Sequence, residues 1–160
     1  MKFNMSKQLL VAALFTGVLC GAWVGFAPMF GLSVWAGFAG CTAYFASGKH
    51  KLEGTLITIV TGILGVGTAL AMIWLGDNVF SFLSGAAGAV SVGIVVVFIV
   101  LCASIEWLSY VPGIFVGCYS LFAINGDWKL LCSSIIAGAI LGVACEQGGM
   151  LVSKKLGISN

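Results

Sequence analysis

Few side chains in these 160 residues can do chemistry. The acids are Glu53, Asp77, Glu106, Asp127 and Glu146, and the single histidine is His50. An ionisable group inside lipid marks function by default. Glu146 stands about a turn from the end of the last apolar stretch, and Glu106 stands at the mouth of the fifth. These two are the candidates for proton or ion coupling. His50, between two lysines in SGKHKLEG, reads as a solvated loop residue. Cys20, Cys41, Cys102, Cys118, Cys132 and Cys145 all lie in apolar stretches without a CxxC or histidine-spaced partner. They predict small buried residues, with no metal site and no disulfide framework. There is no nucleophile–base pair, phosphate loop or HExxH, so neither an enzyme nor a cofactor is expected.

The elements that position these groups follow from composition. The chain is 61% hydrophobic and 8% charged, where a soluble domain carries roughly a quarter charged residues. The expected solvent is therefore a lipid bilayer. The cationic residues are seven lysines and no arginine, a poor match to nucleic acid. Cuts at Gly, Pro and charge give six apolar segments, about 8–26, 30–47, 54–75, 80–103, 107–124 and 129–151. Each is expected to be a transmembrane helix, since lipid offers no partner to an open backbone. The first is read as a helix rather than a signal peptide, and the SGAAG run at 84–88 as a first turn or a loop. The fold class is thus an all-α, six-helix membrane protein forming one domain, 1–160.

Lysine placement sets the expected topology. With both termini cytoplasmic, Lys2, Lys7, Lys49, Lys51, Lys154 and Lys155 lie inside, and only Lys129 lies outside. Trp23, Trp74 and Trp128 then mark the outer interface and Trp107 the inner one, whereas Trp35 falls inside the second helix.

The sequence also repeats. Shifted by 77 positions, Val34–Val66 lies without a gap on Val111–Val143, with eleven identities in 33 places, among them Phe38/Phe115, Gly40/Gly117, Cys41/Cys118, Phe45/Phe122 and Gly65/Gly142. Repeat 1 covers about 8–75 and repeat 2 about 80–151. Three spans per unit make the second copy enter the membrane from the opposite side, a 3+3 inverted-topology repeat of the kind found in channels and secondary transporters.

Short or Gly/Pro-interrupted segments at matching places point to the path in such folds. The second and fifth helices fit, through Pro28 and Gly31 before the second, Gly37 and Gly40 within it, and Pro112, Gly113 and Gly117 in the fifth. If those helices are broken, their free backbone and the rings of Trp35, Phe38, Tyr44, Phe45, Phe115, Tyr119 and Phe122 would form a constriction beside Cys41 and Cys118. The bland alternative is close helix packing through glycine. Thr58, Thr61 and Thr68, with Ser134 opposite, form a polar stripe that either lines a wet path or returns hydrogen bonds to the preceding turn. Gly17, Gly21 and Gly25 read as a packing seam, inside the protomer or between protomers.

At WAGFAGCTAYFA, VPGIFVGC and GDWKL the sequence resembles the small bacterial inner-membrane proteins typified by YcdZ, a family classed as a domain of unknown function. The resemblance covers most of the chain. It implies a multi-spanning protein of the bacterial inner membrane and no particular substrate.

Three functions stay open. The first is a channel or transporter for a small uncharged or weakly charged metabolite, at the interface of the two inverted repeats, with a homo-oligomer expected. The second is a proton-coupled transporter of small organic anions, resting on Glu106 or Glu146 and Lys129. The third is a membrane assembly or partner-binding protein that transports nothing.

Overall fold

A computed structural model describes residues 6–158, and every regular element among them is helical. The lysine at position 2, counted in the topology, lies outside the described residues. The helices are α1 (Lys7–Phe26), α2 (Val34–Ala46), α3 (Lys51–Trp74), α4 (Ala87–Leu101), α5 (Val111–Ala123) and α6 (Trp128–Lys155). They begin where capping chemistry allows. Ser6, Ser33 and Asp127 accept hydrogen bonds from the amides of Leu9, Ala36 and Leu130.

Six helices are therefore present, but they are not alike. Four stretches are long and apolar enough to cross a membrane: Lys7–Phe30, Lys51–Val79, Ser81–Ser104 and Trp128–Lys155. The other two, α2 and α5, have 13 residues each. That is about 20 Å of helix against a hydrocarbon core of about 30 Å. Both are continuous, so of the two possibilities left open for them the structure has close-packed helices and not broken ones with free backbone groups. Pro112 causes no break because it lies in the first turn of α5, where the missing N–H has no partner to lose. The SGAAG run splits, with a kink at Ser84 (φ 47°) and regular helix from Ala87.

The chain packs as two three-helix lobes that exchange their third helices. One lobe is α1, α2 and α6; the other is α4, α5 and α3. They meet chiefly along α3 and α6.

Glycine makes the central crossings. Gly40 rests on the Ile135 carbonyl and Gly138 on the Gly37 carbonyl; in the other lobe Gly117 rests on the Gly62 carbonyl and Gly65 on the Ile114 carbonyl. A methyl carbon at Gly40 would stand 2.5 Å from that oxygen, and at the other three closer still. The two crossings correspond position by position. Gly40 and Gly117 differ by 77, as do Gly37 and Ile114, whereas Ile135 and Gly62 differ by 73, as do Gly138 and Gly65. The ungapped shift of 77 thus holds for α2 against α5 and slips by one helical turn for α3 against α6.

Candidate functional site

Two turns join the crossing helices, residues 47–50 and 124–127. The first brings four groups to one carboxylate. Glu146 on α6 accepts hydrogen bonds from the Tyr44 hydroxyl, from the Lys51 amide at 3.3 Å and from Gln147 Nε2 at 3.1 Å, and its other oxygen meets His50 Nδ1. The Lys51 amide also donates to the Tyr44 hydroxyl at 2.8 Å. Lys51 has φ 54°, a left-handed conformation that costs a non-glycine residue about 1–2 kcal/mol. Tyr44 and Glu146 hold that strained amide in place. This corrects one expectation: His50 is exposed but not merely solvated, since it meets Glu146.

Glu146 also lines a cleft of about 200 Å³ inside the first lobe. Its wall from α1 is Gln8, Ala12 and Thr16, α2 contributes Phe45, and α6 contributes Cys145, Glu146, Gly149, Met150 and Ser153. Ser153 is 1% exposed, and its Oγ has no hydrogen-bond partner among the described residues.

A second cleft, about 370 Å³, lies inside the other lobe. Its wall from α4 and the kinked turn before it includes Ser84, Gly88, Ser91 and Val92, α5 contributes Phe122, and α3 with its continuation contributes Met72, Ile73, Gly76 and Asp77. These positions match those of the first cleft. Phe122 lies 77 after Phe45; Met72, Ile73, Gly76 and Asp77 lie 73 before Cys145, Glu146, Gly149 and Met150; Ser84, Gly88 and Val92 lie 76 after Gln8, Ala12 and Thr16. Asp77 lies past the end of α3 remote from Lys51, so 24 residues of helix, about 36 Å, separate the two ends. The clefts open at opposite ends of the bundle.

The remaining predicted residues separate into three groups. Gly37, Gly40, Gly113, Gly117, Cys41, Cys118 and Tyr44 are buried at the crossings, where glycine serves backbone contact. Trp35, Phe45, Tyr119 and Phe122 are well exposed and Pro112 is exposed, while Phe38 and Phe115 are half-buried. These rings do not converge on one constriction. Thr58, Thr61, Thr68 and Ser134 are buried; Thr61 donates to the Ile57 carbonyl (2.6 Å), Thr68 to that of Gly65 (2.7 Å) and Ser134 to that of Leu130 (2.7 Å), as hydroxyls within a helix do. Ser134 also accepts from the Ser33 amide (2.9 Å). Thr58 Oγ1 has no partner.

Glu106 lies away from Glu146, in a small cavity with Trp107, Lys49 and Glu53. Lys49 Nζ lies 2.8 Å from Glu53, whose carboxylate raises the ammonium pKa above its ordinary value. A side-chain carbon at Gly17, Gly21 or Gly25 would meet nothing within 4 Å among the described residues; α1 docks on α6 through Ala12 against Gly149 and Phe15 against Gly148. Among the described residues no group of acids, cysteines and histidine could hold a metal ion.

A family model described as a protein of unknown function (DUF1097) matches residues 13–150. The chain belongs to this family. It is 40% identical over 147 residues to the inner membrane protein YcdZ of Escherichia coli K12, which covers 92% of this chain and 89% of the relative. It is 38% identical to the protein of the same name from Salmonella typhimurium LT2, over 92% of this chain and 91% of the relative. No solved structure matches this DUF1097 protein.

Proposed function

We propose that this protein is an inner-membrane transporter for a small, uncharged or weakly charged solute, built as two inverted three-span repeats. The membrane follows from the names of the relatives and the four long apolar helices. The orientation, with both termini cytoplasmic, follows from the lysines gathered at the Glu146 end. The observation that carries the reading is the matched pair of clefts, alike in lining positions and opening at opposite ends. Inverted repeats give a transporter equivalent half-sites facing the two sides of the membrane.

The glycine crossings bring the backbones within each lobe into contact, so the reading takes passage to be a movement of one lobe against the other along α3 and α6. Glu146, in contact with Tyr44 and His50, would couple that movement to protons. A second reading, an assembly protein, is favoured by one observation: the open glycine face of α1, which suits a second copy of the chain.

Flux through purified protein in sealed liposomes tests the choice. The panel holds urea, glycerol, a short amide, acetate, an amino acid and a small amine, with and without a pH gradient. Saturable transport that disappears in Phe45→Trp and in Phe122→Trp, with helicity and elution unchanged, supports the two-cleft transporter. Silence for every solute favours assembly.

A further inference from the structure

The two clefts share more than shape. Each carries one carboxylate, Glu146 in one and Asp77 in the other. Hydroxyls stand beside it: Thr16 and Ser153 in the first cleft, Ser84 and Ser91 in the second. A phenylalanine forms part of each wall, and among the described residues no lysine lines either one. In the first cleft the buried Ser153 Oγ is left without a partner. A hydroxyl so deeply buried is normally satisfied, so an orphan one beside a cavity marks a place for a ligand atom. Lys129, the cation an anion carrier would have needed, stands over the Trp128 ring, away from both clefts.

We propose that the clefts are paired sites for a small organic ammonium ion, a primary amine carrying a short apolar tail. Its three N–H donors meet carboxylate and hydroxyl oxygens, which are acceptors; at Glu146 the ammonium takes the place of the exposed His50 ring on Oε1. The positive charge is offset by the single carboxylate and by the face of Phe45 or Phe122. The tail lies on Met150 in one cleft and on Ile73 and Val92 in the other. Anions are disfavoured, because each cleft would set them against a carboxylate and no lysine among the described residues lines either one. The inference rests on the transport reading for its purpose but not for its chemistry, since binding is measured without flux.

The test is calorimetric titration of the purified full chain in detergent with ethylammonium chloride, against acetamide and sodium acetate. The expected result is two ethylammonium sites in the millimolar range. Asp77→Asn and Glu146→Gln each weaken one site about tenfold or more, which is about 1.4 kcal/mol, and leave the other. Asp77 sits on an exposed turn, so its variant keeps the test sharp even if Glu146→Gln fails to fold, and Ser153→Ala then probes the Glu146 cleft. No ethylammonium binding in the wild type overturns the inference. So does equal binding of acetamide or acetate, or ethylammonium binding that survives Asp77→Asn combined with Ser153→Ala or Glu146→Gln. Binding without flux removes the transport reading and leaves this one standing. Flux of a neutral solute without ethylammonium binding does the reverse.

Discussion

His50 and Asp127 occupy the same place in two four-residue turns at opposite ends of the bundle, 77 positions apart. Each is the residue before a long helix. Asp127 caps its helix, its carboxylate accepting from the Leu130 amide at 3.0 Å. His50 makes no side-chain cap and reaches across to Glu146 instead. The turns share a left-handed residue at the matching place, Gly48 in one and Asn125 in the other. The backbone plan is therefore common, and the side-chain chemistry is not. One end is tied by a carboxylate network with a strained Lys51 amide at its centre. The other end has an ordinary cap, a π-type turn and an exposed Asp77. The tied end has hydrogen bonds that join the Glu146 cleft to the turn before α3.

The largest effects should come from the feature both lobes share. Gly65→Val sets a branched side chain against the Ile114 carbonyl and the Cys118 amide. Overpacking costs about 1–3 kcal/mol against side chains, and more against backbone. Loss of a monodisperse species in detergent is the expected outcome. Gly67→Val, two residues on and facing open space, is the control and should elute as wild type. If both variants behave alike, the crossings are not what holds the lobes.

Next in size is the tied end. Tyr44→Phe removes one donor from a half-buried carboxylate and the acceptor of the Lys51 amide. Hydrogen bonds to charged groups contribute about 1.5–3 kcal/mol. A fall in thermal midpoint is expected, and a smaller one when the variant is made on Glu146→Gln. Additive losses would mean that the two groups are not coupled. Asp77→Asn, made at the untied end, should change stability by less than about 0.5 kcal/mol. A large loss there would show that the second end is tied after all.

The same contrast decides what could be read in the sequence. The all-helical build and the close-packing glycines were legible, because apolar length and glycine spacing are local signals; that only four of the apolar stretches are long enough to cross a membrane was not. Nor was the one-turn slip of α6 relative to α3. A shift of four residues returns a helix to nearly the same face, so apolar patterning barely changes, and Gly65 matches Gly138 as readily as Gly142. The ungapped shift of 77 would set Glu146 against Ala69, whereas its counterpart in the second cleft is Ile73. The His50–Glu146 pair joins residues 96 apart, and no periodicity links them. Nothing local marks Asp77 as a cleft residue, because Ser84, Ser91 and Phe122 beside it come from other elements.

The helix caps give smaller effects of opposite sign. Asp127→Ala removes a side-chain cap and should destabilise by about 1 kcal/mol.

His50→Asn is the finest probe. Position 50 already has the extended backbone of a capping residue (φ −123°, ψ 159°), so asparagine there can accept from an amide in the first turn of α3. The gain is about 0.5–1 kcal/mol in the usual case. Against it stands the loss of the contact with Glu146, and the His50 side chain is 75% exposed, where such pairs contribute about 0–1 kcal/mol. The two terms nearly offset, and a change in thermal midpoint of no more than a degree or two is expected for this chain length. A clear gain would mean that His50 gives up stability at this turn in order to touch Glu146, which is the pattern of a functional contact. A clear loss would mean that the pair is worth more than its exposure allows, and that the tied end is held from the solvent side as well as by Tyr44.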